Sequence, residues 1–342
     1  ARAKGYTGKG VTIALIDGEV DTSAPELAGA TIIDKSPCTV ISGTFTKSHS
    51  TAIASLLVSK VYGVAPDATL LSYRTSFSLQ DDKSGSDCTS RNGIALEDPA
   101  SLINRAISDG AQIISIPSSN EGTDEATKWA IARANARGVI VVSPMGNDAK
   151  DETLDTYSKW SGVVGVSAID TTGKRAEYSS WGSGVAVAAV GGPVVVHNYE
   201  SGNKGLTDGT SNSVPLVAGF LALAKQKWPN ATSNQLLQLL TKTARTDQGG
   251  WNTYVGYGAA DPGAMVNTDP SQYPDENPLM DPTMHRGPTV EEIQQYINGL
   301  VNPRDIAFDD TYTYRGTDES VIRNPDAGVQ IHLGTSPHYH AK

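Results

Sequence analysis

Cysteine is nearly absent from this chain: 342 residues hold two, Cys38 and Cys88. They have no paired spacing of the kind a zinc site needs, so no metal is expected of them. They leave either one disulfide joining two loops, as in a secreted protein, or two free thiols. Long apolar runs are missing too. No stretch approaches the roughly 18 apolar residues of a bilayer-crossing helix, so no membrane span is expected. Positive charge is in deficit: 27 Lys and Arg against 37 Asp and Glu leave a net charge of −10. That balance argues against a phosphate-binding surface and against nucleic acid as a partner. The first residues, Ala1-Arg2-Ala3-Lys4-Gly5, contain no apolar leader and read as an interior or processed start. No internal repeat is visible.

What is present suits a loop-rich globular enzyme with a real core: 38% hydrophobic residues and 34 glycines. Val11–Ile16 is a continuous apolar run of buried-strand type, and it ends on Asp17-Gly18-Glu19-Val20-Asp21. An acid at the end of a core strand is either a turn-forming residue or a functional one. After a loop containing Cys38, the small and apolar residues of Ser48–Leu57 predict a tightly packed helix with His49 at its start. Gly63-Val64-Ala65-Pro66 turns into a second strand. Residues 76–98 are polar, include Cys88, and read as an exposed insertion. Asp98-Pro99 opens a helix that Gly110 stops, and Ala111–Ile116 is a buried strand ended by Pro117. Asp124–Arg137 is amphipathic and helical. Val139–Val142, Val163–Ile169 and Val185–Val190 are further strands, and Thr232–Ala244 is a capped helix.

Strands alternating with helices imply an α/β protein, a three-layer sandwich around a mainly parallel central sheet. Residues 1–268 form that domain. From Pro262 onward prolines and acids become frequent, so residues 269–342 read as a C-terminal extension, packed on the domain or partly disordered. Within it Val290–Val301 predicts a helix and the remainder a hairpin. His332, His338 and His340 are read as part of an exposed tail.

Gly209-Thr210-Ser211 leads into the apolar run Val217–Leu223. A serine in the first turn of a buried helix sits among unsatisfied N–H groups, where negative charge is favoured. It can serve as a cap or as a nucleophile whose substrate develops an oxyanion. Asp17, His49 and Ser211 thus follow three separate core elements in the order Asp, His, Ser. With Val20-Asp21, Gly63-Val64-Ala65-Pro66, Gly146-Asn147, Pro215 and Val217-Ala218-Gly219 around them, they resemble the subtilisin-like serine peptidases, or subtilases, over about residues 5–266. Residues 63–74 and 256–262 resemble, more narrowly, the mycosin-type subtilases of actinobacterial secretion systems.

The resemblance implies a serine endopeptidase acting through an acyl-enzyme. Ser211 is the nucleophile, His49 its base, Asp17 the partner that orients the imidazole, and Asn147 an oxyanion donor beside the Ser211 N–H. It places substrate along Ile116, Pro117, Ser118 and Ser119, and the first specificity pocket beside Pro144, Met145 and Gly146. Three positions depart from the family pattern. Pro117-Ser118-Ser119 replaces a Ser-Leu-Gly segment, which removes a backbone donor. Ser50 stands where glycine is usual, and Asn212 where methionine is frequent. The resemblance further implies a removed N-terminal pro-segment, a secreted protein, protein or peptide substrates and no cofactor; the loop that holds calcium in other members is shortened here, so that site is expected to be missing, and a Cys38–Cys88 disulfide, if formed, supplies some of the missing restraint. Two alternatives stand beside hydrolysis: a peptide-processing protease or macrocyclase, and a non-catalytic peptide-binding scaffold.

Overall fold

A strand that is apolar at every position must be covered on both faces. In the computed structural model the continuous runs are the middle strands of one sheet. The structure describes residues 1–76, 83–89, 95–118, 125–151, 156–247, 249–280, 287–306 and 308–318, with the backbone alone at 332–333. In chain order the elements are β1 (Thr12–Asp17), β2 (Thr31–Asp34), β3 (Val40–Ile41), α1 (Thr44–Val58), β4 (Thr69–Arg74), β5 (Lys83–Ser84), α2 (Pro99–Ser108), β6 (Ile113–Ser115), α3 (Glu125–Ala136), β7 (Ile140–Pro144), β8 (Val163–Ile169) and β9 (Val185–Val190). They continue with β10 (Val194–Asn198), β11 (Asn203–Thr207), α4 (Thr210–Lys227), α5 (Ser233–Lys242), α6 (Pro262–Asn267), α7 (Val290–Ile297), β12 (Thr313–Tyr314) and β13 (His332–Leu333).

Seven strands form one sheet in the order β2-β4-β1-β6-β7-β8-β9, every pair parallel. Side chains alternate across it. Ile13 and Leu15 of β1 join a core with α1, α4 and α5, while Ala14 and Ile16 join another with α2 and α3. Ile13, Leu15 and Ile16 are at most 1% exposed, and each such side chain contributes about 1.5–3 kcal/mol by leaving water. The result is the expected three-layer sandwich. All strand C-termini point the same way, so Asp17 at the end of β1 and Pro144 at the end of β7 open on one edge.

Four features differ from the sequence reading. Helix α1 begins at Thr44, behind Gly43, so His49 lies in its second turn and not at its start. β2 is an edge strand within what reads as a loop. α7 stops at Ile297, before the expected Val301: Asn298 caps it and Gly299 takes a left-handed φ of 72°. The strands of the tail, β12 and β13, pair parallel and so are not the expected hairpin. Part of the insertion is ordered. β5 pairs antiparallel with β3, and Cys88, almost fully buried, is disulfide-bonded to Cys38. Residues 77–82 and 90–94 of that insertion, together with His338 and His340, lie outside the described residues.

The extension from residue 289 packs on α3. Trp129 and Ala132 meet Tyr296, Val301, Ile306, Tyr312 and Tyr314. Buried Arg133 lies 3.2 Å from the Asp309 carboxylate, which also accepts the Tyr296 hydroxyl proton. Among the described residues no helix is long and apolar enough to cross a membrane.

Candidate active site

The turn after β1 and the body of α1 approach so closely that only glycine fits between them. A Cβ on Gly18 would stand 2.2 Å from Thr46 Cγ2 and 2.8 Å from Ser50 Oγ. The Ser50 hydroxyl is buried and donates to the Thr46 carbonyl at 2.8 Å. This departure from the family pattern is therefore absorbed within the helix. The contact brings His49 over Asp17. His49 Nδ1 lies 3.0 Å from Asp17 Oδ2, and the Gly18 N–H donates to Asp17 Oδ1 at 2.9 Å. Asp17 is fully buried, whereas the His49 side chain keeps 25% exposure. Burial pulls the His49 pKa down, but the charge of Asp17 and its hydrogen bond push it up by more. The imidazole therefore titrates above its ordinary value. An imidazole held through Nδ1 presents Nε2 to whatever lies in front of it.

The second half of the site is built on α4. Ser211 is its second residue, so its N–H has no acceptor inside the helix. Pro215, four residues on, has no N–H to give to the Ser211 carbonyl. Asn212, 2% exposed, donates through Nδ2 to the Gly191 carbonyl at 3.0 Å and ties the turn to the loop after β9. Gly209 marks how close the two polar groups come: a Cβ there would lie 3.1 Å from Ser211 Oγ and 3.4 Å from Asn147 Nδ2, so hydroxyl and amide approach one point.

Asn147 is not free to rotate. Its Oδ1 accepts from both the Thr210 N–H, at 2.8 Å, and the Thr210 hydroxyl, at 2.9 Å. That assigns the amide: Oδ1 faces Thr210, and Nδ2 is left as the donor beside Ser211. The Thr210 hydroxyl also accepts the Gly146 N–H at 3.2 Å. Sequence reasoning passed over Thr210, although the Gly-Thr-Ser triplet displays it.

Beneath the two halves, α1 and α4 share one core. Gly219 of α4 lies against Val64, and a Cβ there would also reach Leu57 of α1 at 3.4 Å. Other expected site residues are placed differently. Ile116 is 1% exposed in the α2–α3 core and gives its N–H to the Val142 carbonyl. Met145 is fully buried and gives its N–H to Val166. Pro117 and Pro144 are buried, so these four offer walls and carbonyls but no exposed side chain. Ser118 is half-buried and its Oγ has no partner among the described residues. Ser119 lies outside them.

Comparison with known proteins agrees with this arrangement of strands. The family model described as the Subtilase family matches residues 8–258. The thermostable alkaline protease of Halalkalibacterium halodurans is 30% identical over 265 residues, covering 75% of this chain and 66% of that protein. Subtilisin E of Bacillus subtilis is 29% identical over 265 residues, covering 74% and 63%. This chain thus spans just under two thirds of the length of these curated relatives. Among solved structures, MycP1 from Mycobacterium smegmatis is 25% identical with a TM-score of 0.63, over 82% of this chain and 84% of that one. With a family model matched across most of its length and these relatives beside it, the chain belongs to the subtilase family.

Proposed function

We propose that this chain is an extracellular serine endopeptidase that hydrolyses peptide bonds through an acyl-enzyme on Ser211. The observation that carries the reading is the approach of Ser211 Oγ and Asn147 Nδ2 to one point, with His49 of the neighbouring helix α1 paired to Asp17 at the end of β1. Ser211 Oγ attacks the substrate carbonyl carbon as His49 Nε2 takes its proton. The oxygen that becomes negative is met by Asn147 Nδ2 and the Ser211 N–H, both in place beforehand. Collapse breaks the C–N bond, and His49 returns the proton to the leaving amine. Water then attacks the acyl-enzyme by the same route and restores Ser211. Asp17 fixes the imidazole tautomer and stabilises the imidazolium. The Cys38–Cys88 disulfide suits an oxidising compartment outside the cell, and removal of an N-terminal pro-segment belongs to the same reading.

A fluorophosphonate probe tests it. The protein is expected to be labelled, and Ser211→Ala and His49→Ala to lose the label. Labelling that persists in Ser211→Ala refutes the assignment. Mass analysis of products from a peptide substrate separates transfer to water from transfer to an amine.

A further inference from the structure

The ribbon β10–β11 takes no part in the mechanism above. Its strands pair antiparallel, with Val195 opposite Leu206 and His197 opposite Lys204. Opposed residues, and residues two apart along a strand, share a face. One face therefore carries Val195, His197, Lys204 and Leu206, and it continues to Tyr199, whose ring meets that of His197 edge-on, the centroids 4.7 Å apart. That end of the ribbon rests on the His49 helix. The Tyr199 N–H donates to Ser48 Oγ at 2.9 Å, and its hydroxyl donates to Asp21 Oδ2 at 2.7 Å.

The other end of the face runs to the nucleophile. Val195 is 57% and Leu206 70% exposed, an uncovered apolar pair. Asp208 follows Leu206 in the same alternation, is exposed, and immediately precedes Gly209. With successive Cα atoms 3.8 Å apart, its carboxylate lies on the order of 10 Å from Ser211 Oγ. Two glycines make room, one for it and one for the phenol beside it. A Cβ on Gly192 would be 2.3 Å from Asp208 Oδ1, and one on Gly191 would be 2.4 Å from the Tyr178 hydroxyl. Burial, and then the Asp208 charge, pushes the Tyr178 phenol up to about 12, so it stays neutral beside the acid. Among the described residues no Lys, Arg or His nitrogen lies within 4.0 Å of the Asp208 carboxylate. Lys204 shares the face but is about 13 Å further along the strand, beyond the screening length of about 8–10 Å.

The side of the site follows from the chemistry. The substrate oxygen turns toward Asn147, and the leaving nitrogen takes its proton from His49. The leaving half of a peptide therefore departs past the helix on which the ribbon rests. We propose that Asp208, together with the Val195–Leu206 pair, forms the subsite for that half and selects substrates with a lysine or arginine within two residues after the scissile bond. This rests on the peptidase reading.

The test is a set of quenched peptides differing only in Lys, Gln or Glu at each of those two positions, with cleavage sites read by mass. The kcat/KM ratio of Lys to Glu is expected to be about 3- to 20-fold, the range that two opposite-signed surface contacts give. Asp208→Asn should bring it close to one and Asp208→Lys should invert it. Ratios are taken within each protein, so a general loss of turnover cancels. In the unmutated protein the ratio should also shrink as salt is raised. Ser211-dependent labelling and cleavage with no charge preference would overturn this inference and leave the peptidase reading standing. Absence of both labelling and cleavage would overturn the two together.

Discussion

Asn147 and Thr210 give a prediction whose size follows from the geometry. Asn147→Ala removes the side-chain donor beside Ser211 but leaves the backbone donor of α4. Loss of one such donor costs about 10²–10³ in turnover, a range measured on the equivalent asparagine of subtilisin itself. Thr210 is fully buried, and among the described residues its hydroxyl bonds Asn147 Oδ1 and the Gly146 N–H. Thr210→Val removes one neutral hydrogen bond to the amide, about 0.5–1.5 kcal/mol, or roughly 2- to 12-fold in rate if all of it is orientation. Thr210→Ser keeps the hydroxyl and should stay near the unmutated rate. The decisive measurement is the double variant, by kcat/KM on one peptide substrate. If Thr210 acts by holding the amide, it has no amide left to hold once Asn147 is alanine; only its bond to the Gly146 N–H remains, and the double variant should lose less than the product of the two single losses. Fully multiplicative losses would refute that coupling. A loss below tenfold in Asn147→Ala would refute the oxyanion role.

The remaining tests address other layers. Activity should rise with pH as His49 loses its proton. Because Asp17 is what raises that pKa against the effect of burial, Asp17→Asn should move the acid limb to lower pH while slowing turnover; a limb that stays put or moves up contradicts the assignment. The Cys38–Cys88 bond closes a loop with a sequence separation of 50, worth about 4 kcal/mol in chain entropy, so the double serine variant should unfold at clearly lower urea. An unchanged midpoint would mean that the bond constrains nothing. Asp309→Ala strands Arg133 in the α3–tail interface and should cost about 3–5 kcal/mol while leaving the probe-labelling rate of the folded protein intact. Loss of labelling at full folding would tie the extension to the site.

The legible parts of this chain are those where burial is two-sided. β1, β7, β8 and β9 announce themselves because their interiors are apolar or small throughout, and an acid or Pro ends the first three, Asp17, Pro144 and Asp170. Asp17, His49 and Ser211 could be picked out for that reason, each lying at or near the boundary of a core element. β2 gave no such signal. Three of its four residues are exposed and Ile32 is half-buried, so nothing in Thr31–Asp34 needs a continuous apolar pattern. The first turn of α1 was hidden in the same way. Phe45 is 64% exposed, and what fixes that turn is Thr46 and Ser50 packed on Gly18, a contact between residues far apart in sequence.

The ribbon and the tail show why the rest stayed out of reach. Val194-Val195-Val196 and the turn at Ser201-Gly202 carry a hairpin signal that composition alone could have found. Its consequence could not be found that way, because only the fold sets Tyr199 on α1 and Asp208 against Gly192. Likewise Arg133 reads as one more charge on an amphipathic helix until Asp309 arrives from the far end of the chain. Local pattern is written by burial of apolar surface, which is additive along a strand. Position in the site is written by pairs such as Gly18 with Thr46, Thr210 with Asn147, and Asp208 with Gly192, in which one small residue matters because of what faces it. Substitutions at the small partners should therefore disturb chemistry before they disturb folding, whereas substitutions in the strand interiors should do the reverse.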